Sequence, residues 1–315
     1  MKELDNLTTK NYEVAILLPC CDEEAAIASV VQDFKQYLPD ASIYVYDNNS
    51  SDNTIRCAEG AGAIVRREPM QGKGNVVRRM FADIEADIFI MSDGDGTYDI
   101  STSPELVRQL ITEQLDMIVG VRVPEKGAHR KGHGFGNFIF NKIIFFIFED
   151  KYTDIFSGFR IFSKRFVKTF PALSKGFEVE TEICIHALDL DVPLKEVPVR
   201  YSKRIAGSSS KLRTFSDGFV ILRTIVSMFR EVKPFTFFNI ISVVLMFVAF
   251  LIGYPLVVTW IETGLVPRIP TAIIVMGLIV LSFICVTCGL VLDCVARGRK
   301  EAKRLSYLTF PIFPK

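Results

Sequence analysis

Two stretches of this 315-residue chain, Pro234 through Ile261 and Ile269 through Leu292, contain no formally charged side chain. Each is longer than the roughly 20 apolar residues that cross the hydrocarbon core of a bilayer. They predict two transmembrane helices, over about 235–261 and 270–295, separated by the short turn Glu262 to Arg268. A buried helical hairpin of a soluble protein is the alternative. Arg223, Arg230 and Lys233 precede the first stretch; Arg297, Arg299, Lys300, Lys303 and Arg304 follow the second; the turn holds only Arg268. Positive charge gathers on the cytoplasmic side of such helices, so both ends of the hairpin are expected in the cytosol.

Hydrophobic residues make up 49 % of the chain, which excludes disordered and collagenous classes. Seven cysteines are too few for a disulfide scaffold, and those in the second apolar stretch (Cys285, Cys288, Cys294) serve as small apolar residues. Lys plus Arg number 37 against 36 for Asp plus Glu, so no basic footprint points to nucleic acid. The polar start, Met1 to Asn11, predicts no signal peptide.

From Val14 the pattern alternates apolar runs with helical spacing. Strands are expected at Val14 to Leu18, Ile43 to Tyr46, Ala63 to Val65, Ile88 to Met91 and Met117 to Val119. Helices are expected at Glu23 to Tyr37, Asp52 to Gly60, Gly74 to Glu85 and Pro104 to Glu113. This rhythm predicts an open, mostly parallel α/β sheet covered on both faces, with ligands beyond the carboxyl ends of the strands. The domain is expected over 1–232 and the hairpin with a basic cytosolic tail over 233–315. Phe135 to Phe148 holds six phenylalanines and four isoleucines with only Lys142 charged. A helix in the membrane interface is expected over 134–148, with a core helix as the alternative.

Asp93-Gly94-Asp95-Gly96 places two carboxylates on a turn after a strand, hard oxygen ligands of the kind Mg²⁺ and Mn²⁺ take. Alone, an Asp-x-Asp turn is a weak signal. Gln71-Gly72-Lys73-Gly74 resembles a phosphate cradle at a helix start, with a plain loop as the alternative. Asp47 to Asp52 could be merely an N-capped turn with Ser51 or Asp52 as cap.

Their order carries more than any one of them. A strand leading into Pro19-x-x-x-Glu23-Glu24, a second ending Asp47-x-x-Ser50-x-Asp52, a Gly-Lys-Gly before a helix and a strand ending Asp93-x-Asp95 resemble the GT-A domain of family 2 glycosyltransferases. Ser157-Gly158-Phe159-Arg160, Gly176-Phe177-Glu178-Val179-Glu180-Thr181-Glu182, Glu196-Val197-Pro198-Val199 and Arg204-x-x-Gly207-x-x-Ser210-Lys211 are similar to polyprenyl-phosphate hexosyltransferases, over about residues 12 to 232. The resemblance implies Pro19, Glu23 and Asp47 at the nucleoside of a UDP- or GDP-hexose, Lys73 near it, and Asp93 and Asp95 at a Mg²⁺ or Mn²⁺ ion and the diphosphate. Cys20-Cys21-Asp22 stands where the family usually has an aromatic residue and Asn, and Asp47-Asn48 where paired Asp is common.

An inverting transfer to a polyprenyl phosphate needs a cation at the leaving diphosphate and cationic clamps for an acceptor that is already anionic. The cations after the metal turn are Arg122, His129, Arg130, Lys131, His133, Arg160, Arg204 and Lys211. Arg122, Arg130, Arg204 and Lys211 are expected at the acceptor phosphate, since Arg forks suit phosphate. Asp154 and Glu182 are expected to orient acceptor or sugar, with Glu182 also counted among the catalytic groups beside Asp93, Asp95 and Arg122. Two rivals remain: transfer to the hydroxyl of a glycolipid or glycerolipid, and a membrane-anchored scaffold that binds a nucleotide sugar without turnover. The expected setting is the cytosolic face of a bacterial or archaeal membrane, and homo-oligomers are allowed.

Overall fold

The computed structural model describes residues 12–124, 153–202, 204 and 214–313. Its core is a seven-stranded sheet: β1 (Val14–Cys20), β2 (Ser42–Asp47), β3 (Ile64–Arg67), β4 (Ile88–Met91), β5 (Met117–Pro124), β6 (Arg160–Ser163) and β7 (Leu194–Tyr201). The order is β3-β2-β1-β4-β6-β5-β7, and β6 alone runs antiparallel to its neighbours. β1 lies between β2 and β4, with Cys20 opposite Asp47 and Leu17 opposite Met91. The acidic turns that follow these three strands therefore open at one end of the sheet.

Ile16, Leu17, Leu18, Val45, Ile88, Phe89 and Ile90 are fully buried. An uninterrupted apolar strand buried on both faces is what a parallel sheet requires. The helices are α1 (Ile27–Tyr37), α2 (Thr54–Gly60), α3 (Lys73–Asp83), α4 (Ser103–Thr112), α5 (Lys164–Thr169), α6 (Val179–Leu190), α7 (Thr214–Val232), α8 (Pro234–Thr263) and α9 (Ile269–Leu308). In α1 the buried residues Ile27, Val30, Val31 and Phe34 recur at the spacing of one helix face.

By contacts the chain divides into two compact units, Met1–Thr224 with Lys303–Lys315, and Ile225–Ala302. The second contains α8 and most of α9, both long and apolar enough to cross a membrane. Their large apolar side chains are mostly exposed, among them Phe250, Ile261 and Phe283. Ser242 and Ser282 are buried between the two helices with their hydroxyls 2.7 Å apart. A polar pair of this kind fixes the register of apolar helices, where dispersion alone discriminates poorly.

The expected tail after the second span is not separate from its helix. α9 runs on through Arg297, Arg299 and Lys300, and from Lys303 its residues pack on the sheet unit. Lys303 pairs with Asp189 at 3.0 Å, and the buried Tyr307 donates to Asp116 at 2.5 Å. Asp116 also accepts two hydrogen bonds from Arg165 at 2.6 Å. A buried carboxylate demands such partners, and the tail supplies one of them.

Candidate active site

The site is built on the loops after β1, β2 and β4. Asp22 sits in the left-handed region at φ 51° and joins the first two loops. Its carboxylate accepts from the Ser51 N–H at 2.7 Å, and its own N–H donates to Ser50 Oγ at 2.9 Å. The Glu23 N–H donates to Thr54 Oγ1, and the Glu24 N–H to Asp52. The N-cap of α2 is Asn53 and neither Ser51 nor Asp52, the expected caps; Asp52, one residue earlier, accepts from the Thr54 N–H at 2.9 Å and so fixes the turn that leads into the helix. Burial opposes ionisation of Asp52, but the hydrogen bonds from Thr54 outweigh it and hold its pKa below the usual value.

Asp47 is buried at the end of β2. Its Oδ2 accepts a 3.3 Å hydrogen bond from Ser50, while its Oδ1 has no hydrogen-bond partner. Asn48 beside it ties down the loop after β3: Nδ2 donates to the carbonyls of Glu68 and Met70 at 2.8 and 2.9 Å, and Oδ1 accepts from Gly72 N–H at 2.7 Å. That bond corrects the phosphate-cradle expectation at Gly72, whose amide is already taken. Glycines are needed here for another reason. Gly72 has φ +125°, and a Cβ on Gly72 or Gly74 would lie 2.2 Å from the carbonyl oxygen of Lys175 or Ser174. The loop is pressed against another stretch of backbone, and Lys73 is carried into the site on the first turn of α3.

Lys73 Nζ lies 2.6 Å from Asp93 Oδ1 and 2.6 Å from Glu180 Oε1. Burial alone would lower its pKa, but the two carboxylates raise it well above the ordinary lysine value. Lys73 in turn holds Asp93 below the usual carboxylate range against the cost of burial. Asp95 behaves oppositely: burial, then the charge of Asp93, raise its pKa. Asp95 Oδ1 accepts from the Thr97 N–H and hydroxyl, and Oδ2 lies 2.7 Å from Arg204, which also stands 3.7 Å from Glu23. The Cys20 thiol sits among these groups, its pKa pushed up by burial and then by Glu23, Asp47, Asp93 and Asp95. The four carboxylates expected at donor and metal thus all act on this one thiol, and Arg204 joins Asp95 to Glu23 directly.

Arg122, on β5, makes a bidentate ion pair with Asp154 at 2.6 and 2.7 Å and lies over the Tyr201 ring. Asp154 is held by its backbone: Glu196 accepts from the N–H groups of Thr153 and Asp154. Gly158 then passes directly under Asp93, where a Cβ would meet Asp93 Oδ2 at 2.4 Å, and its N–H donates to Tyr98. Arg160 is fully buried and donates to the carbonyls of Ser157 and Ile155. It braces the 154–160 loop, which corrects its place among cations open to a substrate.

Glu182 also differs from expectation. Both its oxygens accept backbone N–H groups, from Leu173 and Ser174 at 2.9 and 2.8 Å, so it shapes the loop that meets Gly72 and Gly74. The carboxylate that reaches the cluster is Glu180, two residues earlier on α6 and not singled out from the sequence. Alternating acids in Glu178-x-Glu180-x-Glu182 offered no local signal to choose between them. Pro19 lies in β1 opposite Tyr46, next to this corner. Arg130, Lys211, His129, Lys131, His133 and the segment Phe135 to Phe148 lie outside the described residues.

The donor set suits a divalent ion of the Mg²⁺ or Mn²⁺ type. Asp93 and Asp95 are two hard carboxylates; no group of three His, Cys, Asp or Glu side chains that could hold a metal occurs among the described residues. Two carboxylates completed by water and phosphate oxygens is the usual arrangement for such ions. Asp95 Oδ2 is buried with the Arg204 guanidinium 2.7 Å away, and burial and the charge of Asp93 still disfavour its ionised form, which a divalent cation at these two carboxylates would favour.

The profile of glycosyl transferase family 2 matches residues 15–170. Glycosyltransferase AglJ of Haloferax volcanii is 32 % identical over 229 residues, 72 % of this chain and 75 % of its own. A dolichyl-phosphate hexose transferase of the same organism is 25 % identical over 221 residues, 70 % of this chain and 95 % of its own. Among solved structures, glucosyl-3-phosphoglycerate synthase from Mycobacterium tuberculosis, in complex with Mn²⁺, UDP-glucose and phosphoglyceric acid, superimposes with a TM-score of 0.58 at 22 % identity. It covers 70 % of this chain and 81 % of that one. This likeness shows the GT-A fold, and together with the relatives and the profile it establishes that the chain is a glycosyltransferase belonging to glycosyl transferase family 2.

Proposed function

We propose that the protein transfers a hexose, with inversion, from a UDP- or GDP-sugar to a polyprenyl phosphate at the cytosolic face of a bacterial or archaeal cell membrane. The observation that carries this reading is the pairing of Asp93 with Lys73 and of Asp95 with Arg204 at the end of the sheet where Asp47, opposite Cys20, keeps a buried Oδ1 with no hydrogen-bond partner. In this reading Asp47 Oδ1 accepts from an N–H of the base, with Pro19 and Glu23 beside the nucleoside, and Lys73 approaches the diphosphate. Asp93 and Asp95 would hold Mg²⁺ or Mn²⁺, which supplies charge neutralisation to the departing diphosphate.

The acceptor side is supported by chemistry and by likeness. A phosphate monoester has a second pKa near 6 and is an anionic nucleophile at neutral pH, so no strong base is needed. Asp93, Glu180, Asp95, Glu23 and Asp154 are each paired with a cation, which suits that requirement. Arg122, held rigid by Asp154, is the described cation we assign to the acceptor phosphate; Arg130 and Lys211 are assigned there from the sequence alone. The relative named as a dolichyl-phosphate hexose transferase and the two apolar helices favour a lipid acceptor.

The test is transfer by the purified full chain from UDP- and GDP-hexoses to polyprenyl phosphate and to diacylglycerol, with Mn²⁺, Mg²⁺ or chelator. Metal-dependent product on the polyprenyl phosphate is expected. Product on diacylglycerol alone would replace the acceptor, and full activity in chelator would remove the metal. A cysteine at Gly264, in the turn between α8 and α9, is expected to react with an impermeant reagent from outside intact cells; reaction only after permeabilisation would reverse the orientation.

A further inference from the structure

Two cations of the site, Lys73 and Arg204, each stand between two carboxylates, and in each pair only one carboxylate belongs to the expected metal ligands. Lys73 bridges Asp93 and Glu180 at 2.6 Å each; Arg204 stands 2.7 Å from Asp95 and 3.7 Å from Glu23. We propose that Lys73 and Arg204 are exchangeable counter-ions that cover the metal-binding oxygens until a divalent cation and a nucleoside diphosphate arrive together. The proposal rests on the reading above and adds to it a binding order: neither ligand binds well without the other.

Three features support the exchange. First, a divalent cation held by Asp93 and Asp95 would compete for carboxylates that already have an ammonium at 2.6 Å and a guanidinium at 2.7 Å, a competition that would lower the metal's affinity when it binds alone. Second, neither cation is left isolated when displaced. Lys73 keeps Glu180, whose other oxygen is buried and has no hydrogen-bond partner, and Arg204 keeps Glu23. Stranding a buried ammonium would be prohibitive, and the side chain of Lys73 is only 11 % exposed.

Third, the charges fit the order. Asp93, Asp95, Glu23 and Glu180 share only Lys73 and Arg204, so the carboxylates in these pairs outnumber the cations four to two, an excess that a divalent cation reduces. A diphosphate then brings new negative charge toward the two freed cations. The coupling is reciprocal, so the diphosphate should strengthen metal binding by the factor that the metal strengthens diphosphate binding.

Mn²⁺ binding to the detergent-solubilised full chain, followed by the spectroscopic signal of free Mn²⁺, tests this without any turnover. In the wild type, UDP or GDP is expected to raise Mn²⁺ affinity by about tenfold or more, within the usual range of coupling between sites. Lys73→Gln and Arg204→Gln are expected to bind Mn²⁺ alone more tightly than the wild type, and to show a smaller gain on adding nucleotide. Arg204 is about one-third exposed, so Arg204→Gln keeps the test decisive if Lys73→Gln does not fold. Nucleotide binding with Mn²⁺ affinity unchanged, or variants that bind Mn²⁺ alone no better than the wild type, would overturn the counter-ion role and leave the nucleotide-sugar reading standing. Failure of both UDP and GDP to bind in the presence of Mn²⁺ would overturn both.

Discussion

The acidic turn after β2 and the acidic turn after β4 are made of similar residues and behave in opposite ways. In Asp47 to Thr54 most charged and polar side chains meet neutral donors close by: Asp52 accepts from Thr54, and Asp22 from Ser51. In Asp93 to Thr97 the carboxylates meet Lys73 and Arg204, which arrive from elsewhere in the chain and are each shared with a further carboxylate, Glu180 and Glu23, so that negative charge exceeds positive in the pairs together. Asp52 is held below its usual pKa and Asp95 is held above it. A network of neutral donors fixes geometry, whereas a cluster with unmatched charge keeps the capacity to bind an ion. Stability and function are therefore expected to separate between the two turns.

The largest effect should come from Asp95→Asn. Turnover is expected to fall by about a thousandfold, the scale at which losing one preorganised electrostatic group is felt. Stability should not fall with it. Because the folded-state pKa of Asp95 is raised, its ionised form is disfavoured in the fold; that cost is present at neutral pH and disappears as pH falls through the raised value. The amide avoids it, so the melting temperature at pH 7 should stay level or rise. Asp93→Asn should lose activity too but melt lower, since it removes the partner that holds Lys73. Equal melting losses in both variants would break the contrast between these neighbours.

Asn48→Ala comes next. It deprives the Gly72 N–H and two carbonyls of their partner, and about 2 kcal/mol of stability should go, as for other buried groups left unsatisfied. Denaturant unfolding measures the loss, and a raised KM for the donor nucleotide should accompany it. The smallest effect is Asp52→Ala, about 1 kcal/mol as for lost side-chain hydrogen bonds to the Thr54 N–H and hydroxyl, with turnover unchanged. The Asp52 contribution is present above the ordinary carboxylate pKa and lost as pH falls through its depressed folded value, so wild type and variant should converge in acid. A large loss of turnover in Asp52→Ala would show that this turn does more than hold its shape.

Much of the framework was legible in the residues. β4 spans Ile88–Met91 as the apolar run predicts, and the other four expected strands and all four expected helices formed, with boundaries shifted by a few residues. The two helices long enough to cross a membrane follow directly from the uncharged stretches. β6 was not legible: four residues carry no sign of direction, and its antiparallel place between β4 and β5 is set by pairing with both.

The sequence by itself determined where strands, apolar helices and acidic turns lie, because periodicity and unbroken hydrophobicity are properties of neighbouring residues. It also placed Asp93, Asp95, Glu23 and Asp47 at one end of a parallel sheet, since each closely follows a strand. Only the tertiary structure decided that Glu180 and not Glu182 shares Lys73, that Arg160 braces a loop, and that Gly72 and Gly74 admit a passing backbone. These are choices among chemically equivalent candidates, and what separates them is distance across the fold. A salt bridge or a close backbone approach depends on a few ångströms between residues far apart in the chain, and no local pattern encodes that separation.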